Sequence, residues 1–90
     1  MQITVNAVAG RFDEQTRAYA EFRVFAALAR FGPDIAGALV TLRPYTDHAS
    51  TVACAIAVTF PGGGRLRVNA RGRHAYDAIN RAIGQLKGKV

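Results

Sequence analysis

The sequence predicts an α+β domain: a four-stranded mixed sheet with two helices packed on one face. Three observations predict it. Apolar residues recur with period 2 or 3.6 in segments ordered β-α-β-β-β-α across all 90 residues. A helical segment separates the first two strands, and a right-handed crossover of that kind makes them parallel, while the later strands follow at short spacing as a meander. Each helix also carries an apolar stripe to bury, so both belong on one face of the sheet and the other face is left to solvent.

The elements follow in order. QITVNA alternates Ile3, Val5 and Ala7 against Thr4 and Asn6 and reads as a short strand. RFDEQTRAYAEFRVFAALARFG reads as a helix, with Asp13 as N-cap, Glu14 at the positive end of the dipole, and Gly32-Pro33 as the stop. Ala18, Phe22, Phe25 and Ala29 define its apolar stripe, which Val24 and Leu28 widen; Arg23 and Arg30, two turns apart, share a different stripe. DIAGALVTLR is a second strand, which Gly37 should weaken, and PYTDHAS is a loop. TVACAIAVTF then sets Val52, Cys54, Ile56, Val58 and Phe60 on one face and Thr51, Ala53, Ala55, Ala57 and Thr59 on the other. PGGG is a hairpin turn, and GRLRVNARGR the fourth strand, antiparallel to the third. HAYDAINRAIGQLKGKV closes the chain as a helix, with Tyr76, Ile79, Ile83 and Leu86 at helical spacing. Asp77 falls in its favourable first turn, and Lys87 and Lys89 at its negative end.

Composition limits the function. A single domain spanning residues 1–90, half of them hydrophobic, buries one core and is not disordered. Twelve Lys and Arg oppose six Asp and Glu, for a net charge of +6, and ten of the twelve are Arg. Arg grips phosphates bidentately, so the balance points to an anionic partner, most often nucleic acid. Cys54 is the one cysteine, which suits a reducing cytosol. Neither a signal-peptide pattern nor an apolar run of membrane-spanning length occurs, so no membrane is expected as a partner.

The fourth strand is the strongest functional feature. Arg65, Arg67, Asn69, Arg71 and Arg73 alternate with Leu66, Val68, Ala70 and Gly72. As a strand, this segment buries one face and raises a row of guanidinium groups on the other. A charged edge against aggregation usually needs only one or two lysines. Four Arg in nine residues, beside a strand that offers only Ala and Thr, favour anion binding.

Other candidates are weaker. PGGG lacks the lysine and the strand-to-helix setting of a phosphate loop. His48 and His74 stand apart with no metal-ligand spacing, and no catalytic set accompanies Asp47 and His48, so neither an enzyme nor a cofactor is expected. Cys54 belongs on the core face as inert packing. Tyr45 stays open as a base contact, as does Phe31, while Tyr76 heads the apolar stripe of its helix and is expected in the core.

With these residues in place, the chain resembles a known family. MQITV, the helix DEQTRAYAEFR, and above all PGGGRLRVNARGRHAYDAINRAIGQL are similar to the short ribosome hibernation-promoting factors, which include the ribosome-associated inhibitors once called sigma-factor modulation proteins. Tyr76, Asp77, Ala78, Ile79 and Asn80 stand where that family opens its last helix with a Tyr-Ala-Ala-Ile-Asp type of pattern. The resemblance implies a bacterial, cytoplasmic, non-enzymatic protein that binds the small ribosomal subunit in the mRNA/tRNA channel and keeps ribosomes idle in slow growth or stress. It implies rRNA contacts from basic residues on the helices: Arg17 and Arg23 on the first, Arg81, Lys87 and Lys89 on the second and its end. Four features depart from the family pattern: the first helix is more apolar, with Val24, Phe25 and Leu28 where charge is common; the arginine strand is more basic; His74 stands where the family often has an acidic residue; and the family usually continues past the second helix with several more basic residues, where this sequence stops at Val90.

The resulting expectation is a single ribosome-binding domain that contacts rRNA through Arg17, Arg23, Arg30, Arg65, Arg67, Arg71, Arg73, Arg81, Lys87 and Lys89, with no small-molecule substrate. Arg65, Arg67, Arg71 and Arg73 should lie on the open sheet face, and Arg23, Arg30 and Arg81 on the helical side; Arg65, Arg67, Arg23 and Arg30 are expected to be exposed. The alternative is a protein-interaction or self-associating module with a basic sheet face, and a weak homodimer is left open.

Overall fold

The computed structural model describes residues 1–8, 12–30, 35–44 and 51–89. The elements are β1 (Gln2–Ala7), α1 (Glu14–Leu28), β2 (Gly37–Pro44), β3 (Val52–Thr59), β4 (Arg65–Gly72) and α2 (Ala75–Lys89), in the predicted order. The sheet runs β1-β2-β3-β4, with β1 parallel to β2 and the other pairs antiparallel. The inward residues form continuous rows across the strands: Val5 beside Val40, Val40 opposite Ile56, Ile56 opposite Val68. Val40, Ile56 and Val68 are fully buried, with Leu42, Cys54 and Val58 beside them, and the helices cover this face alone.

α2 buries Ala78, Ile79, Ala82, Ile83 and Leu86 over β3 and β4, so three of its four stripe residues lie where period 3.6 puts them. Tyr76 does not: it is 39% exposed and sits edge-on against Tyr19, with ring centroids 4.5 Å apart. It stands in the first turn, where the helix has only begun to cross the sheet, so its ring covers the seam with α1.

The stripe expected of α1 is overturned at its four defining residues, while Val24 and Leu28, expected to widen it, are buried. The helix buries Thr16, Ala20, Val24, Ala27 and Leu28, and leaves Ala18, Phe22, Phe25 and Ala29 exposed. Phe22 and Phe25 keep 66% and 53% of their surface in water. This helix is apolar on two sides, so periodicity alone offers two stripes. The buried one is an unbroken i, i+4 ladder whose alanines let α1 lie close over β1 and β2 and beside α2. The helical segment also ends earlier than expected, with Ala29 as the C-cap; residues 31–34, including Phe31 and the Gly32-Pro33 stop, lie outside the described residues.

The start of α1 is as read. Asp13 has extended backbone geometry, and its Oδ1 accepts from the Thr16 amide at 2.8 Å. Gly37, expected to weaken β2, is instead required there: a Cβ would stand 2.9 Å from the Gln2 carbonyl oxygen, so glycine lets β1 close on β2. The hairpin turns through Pro61-Gly62-Gly63. The Gly63 amide donates to the Phe60 carbonyl at 2.9 Å, and Gly63 takes the positive φ of 93° that the turn demands.

Candidate nucleic-acid interface

The open face of the sheet is set by strand register. Leu39 lies opposite Ala57 and Ala57 opposite Arg67; Thr41, Ala55 and Asn69 form the next row, and Arg43, Ala53 and Arg71 the next. Gly37, Thr59 and Arg65 end the ladder at the hairpin, while β1 adds Gln2, Thr4 and Asn6. None of these positions carries Asp or Glu. β3 contributes only methyl groups to the middle of the face, and a trough of about 610 Å³ is lined there by Thr41, Arg43, Ala53, Ala55, Arg67, Asn69 and Arg71, and reaches Cys54, Ala70 and Gln85 of α2.

Arg65, Arg67 and Arg71 stand exposed on this face, as the alternation predicts. Arg73 does not join them: β4 ends at Gly72, and Arg73 lies in the bend before α2, its amide donating to Asp77 Oδ2 at 3.0 Å. Arg43 was not among the expected contacts, yet β2 brings it, exposed, into the row of Arg71. The signal was present in the sequence, where Leu39, Thr41 and Arg43 alternate with buried Ala38, Val40 and Leu42. Among the described residues, the guanidinium groups of Arg43, Arg65 and Arg67 have no hydrogen-bond or ion-pair partner. Alternate residues of a strand are about 6.6–6.8 Å apart, so neighbouring charges repel by only about 0.6 kcal/mol in water. A phosphate arriving on them makes charge-assisted hydrogen bonds of about 1.5–3 kcal/mol each, so the face tolerates being empty and gains when filled.

The helical side is arranged differently. Arg17 is exposed and donates to the Val5 carbonyl at 3.3 Å. Arg23 is half-buried rather than exposed, its Nε donating at 3.1 Å to Asn80 Oδ1, which also accepts from the Tyr19 hydroxyl at 3.0 Å. Asn80 thus ties α1 to α2, a role the sequence reading missed because a surface Asn carries no local signature. Arg81 pairs with Asp77 one turn back at 3.2 Å. Arg30, Lys87 and Lys89 are exposed at helix ends.

Asp77 organises the start of α2. Its amide donates to His74 Nδ1 at 3.3 Å, while its carboxylate takes the Arg73 amide and the Arg81 guanidinium. Those two hydrogen bonds, the Arg73 amide first, hold its carboxyl below the ordinary value of 3.8. Thr16 does the same for Asp13. Burial pushes the Cys54 thiol up to about 12, as fits an inert thiol on the core face. Tyr45, Asp47 and His48 lie outside the described residues. Among the described residues no helix is long and apolar enough to cross a membrane.

No family model and no curated protein matches the chain. Solved structures do. A ribosomal subunit interface protein from Coxiella burnetii superimposes with a TM-score of 0.77 at 15% identity, over 99% of this chain and 92% of its own. The Protein Y N-terminal domain of Thermus thermophilus gives the same TM-score at 27% identity, over 99% of this chain and 94% of its own. The first likeness is one of fold. The second, on that same fold, matches the hibernation-factor family that the residues resemble.

Proposed function

We propose that this chain is a ribosome-associated hibernation factor of the cytoplasm that binds small-subunit rRNA in the mRNA/tRNA channel and inhibits translation by occupancy. The observation that carries the reading is the open face: guanidinium groups on rigid strands, no carboxylate among them, on a fold matched over 99% of the chain by a ribosomal subunit interface protein and by Protein Y. The mechanism is steric and needs neither catalysis nor a cofactor. Arg43, Arg65, Arg67 and Arg71 meet rRNA phosphates on one side. The exposed Arg30, Lys87 and Lys89 meet them on another, with Arg17, Arg73, Arg81 and half-buried Arg23 as further donors. Phosphate contacts fix affinity and orientation, and the folded shape of rRNA supplies the address. A compact body held there excludes mRNA and tRNA.

The test is sedimentation of cell lysate through a sucrose gradient with antibody detection, followed by addition of the purified protein to cell-free translation. Co-migration with small subunits and a dose-dependent fall in translation are expected. Migration at the top of the gradient would sink the proposal.

One observation favours a second reading. Phe22 and Phe25, with Met1, Ile3, Ala18 and Glu21, line an exposed and mostly apolar hollow on the outer side of α1. Such a patch suits a protein contact, including a weak homodimer. Sedimentation equilibrium of wild type against Phe22→Ser with Phe25→Ser decides it: a monomer at all concentrations removes the homodimer.

A further inference from the structure

The shape of the open face says what form of RNA it takes; this step rests on the RNA-binding reading above. β3 lays a floor of Ala53, Ala55 and Ala57. Leu39, Thr41 and Arg43 rise from β2 on one side, and Arg67, Asn69 and Arg71 from β4 on the other. Those two strands are two inter-strand spacings apart, about 9–10 Å, so the floor is one strand wide. The rounded side of a duplex would rest on the arginine tips and leave the methyl floor empty. A single sugar–phosphate chain can descend between the walls.

The long axis agrees. Arg65 and Arg67 stand two residues apart on β4, about 6.6–6.8 Å, a step on the scale of consecutive phosphates in an extended strand. Arg43 faces the same channel from the opposite wall. The chemistry of the floor is equally specific. Sheets that read RNA bases carry aromatic side chains on which the bases stack. Here no aromatic ring lies on the open face among the described residues. Stacking worth about 1–3 kcal/mol per base is therefore missing, and phosphates supply the affinity. We infer that the channel over β3 holds an extended single-stranded RNA segment by its backbone, in preference to a duplex and without regard to base sequence.

Fluorescence anisotropy of end-labelled RNA tests this with four probes: a U oligomer, a C oligomer, a duplex of the same length, and polyglutamate. The U and C oligomers should bind within about threefold of each other and the duplex at least about tenfold more weakly, since only the single strand reaches both walls. Four phosphate contacts on a single strand give a slope near about −3 in log affinity against log salt. Ala55→Leu fills the floor without changing charge and without adding a ring for bases to stack on, and should weaken the U oligomer at least about tenfold, with folding checked by circular dichroism. Arg43→Glu, which alters one wall only, should do the same. Tighter duplex binding, a strong base preference, polyglutamate bound as well as the U oligomer, or unchanged binding by both variants would overturn the inference. The two readings fail separately. A protein that co-sediments with small subunits but prefers duplex keeps the ribosome proposal and loses the channel. One that binds the U oligomer but never meets a ribosome keeps the channel and loses the ribosome.

Discussion

The two basic surfaces of this molecule differ in what their arginines already hold. On the helical side Arg17 is spent on a backbone carbonyl, Arg23 on Asn80 and Arg81 on Asp77. On the open side Arg43, Arg65 and Arg67 point away from the sheet with no partner among the described residues. The first set closes the fold and can share its remaining donors with a ligand. The second contributes nothing to the fold that the structure describes. Counting positive charge does not separate the two; asking where each guanidinium's hydrogen bonds go does.

The largest contrast to measure is across β3 itself. Cys54 faces the core, with its thiol pushed up to about 12 against an ordinary 9.0, so at neutral pH its thiolate fraction is about a thousandfold below that of a free cysteine. Ala55→Cys places a thiol on the open floor. A maleimide should label it at least that much faster than Cys54 in the native protein, and equally fast in denaturant. Rapid native labelling of Cys54 would exchange the two faces of the sheet.

Next comes charge reversal in pairs. Arg65→Glu with Arg67→Glu removes two charge-assisted contacts at about 1.5 kcal/mol or more each, so affinity for ribosomes or RNA should fall at least about a hundredfold. Arg23→Glu with Arg30→Glu reverses one exposed donor and one already held by Asn80, so it should cost about tenfold in affinity, less than the strand pair, and lower the melting temperature because Arg23 is half-buried on Asn80. The opposite ranking would make the helical side the working surface.

Asn80→Ala sharpens the comparison from the other side. It breaks the hydrogen bonds from Tyr19 and Arg23, should cost about 1 kcal/mol in urea unfolding, and should leave RNA affinity unchanged. A large loss of binding would show that a held Arg23 is part of the interface. The smallest effect is acid-dependent. Asp13 and Asp77 have folded carboxyls below the ordinary 3.8, so their stabilisation is complete above that value and is lost as pH falls through the lower, folded one. Melting temperature should hold level above about pH 5 and drop below 3.8, and Asp77→Asn should flatten part of the drop.

Much of this was legible in the residues. Period-2 alternation in β3 and β4 fixed which side chains face out, because register leaves a strand only two choices. α2 was nearly as clear, since its large aliphatics lie on one side. α1 was not. It is apolar on two sides, and the larger side chains, Phe22 and Phe25, are the ones left in water, because the space above β1 and β2 suits alanines. The site was half legible: Arg65, Arg67 and Arg71 came from one strand's pattern, and the alternation of β2 carried the outward facing of Arg43, but its place in the row of Arg71 arises only through pairing with β3, which no single segment encodes. Arg73 failed for a local reason, since the strand stops one residue short of it.

The strand made first is the one that waits longest. Gln2 has no ladder partner until Gly37 has been synthesised, and β1 pairs with β2 alone. β3 and β4 meet across a tight hairpin, with α2 packing directly on them. Assembly should therefore nucleate in the later half of the chain, where contacts are local, and β1 should dock last. The same asymmetry survives in the finished protein as a gradient of local opening: in native-state hydrogen exchange the bonded amides of β1 should lose protection before those of β3, and equal protection would mean the sheet opens only as one unit.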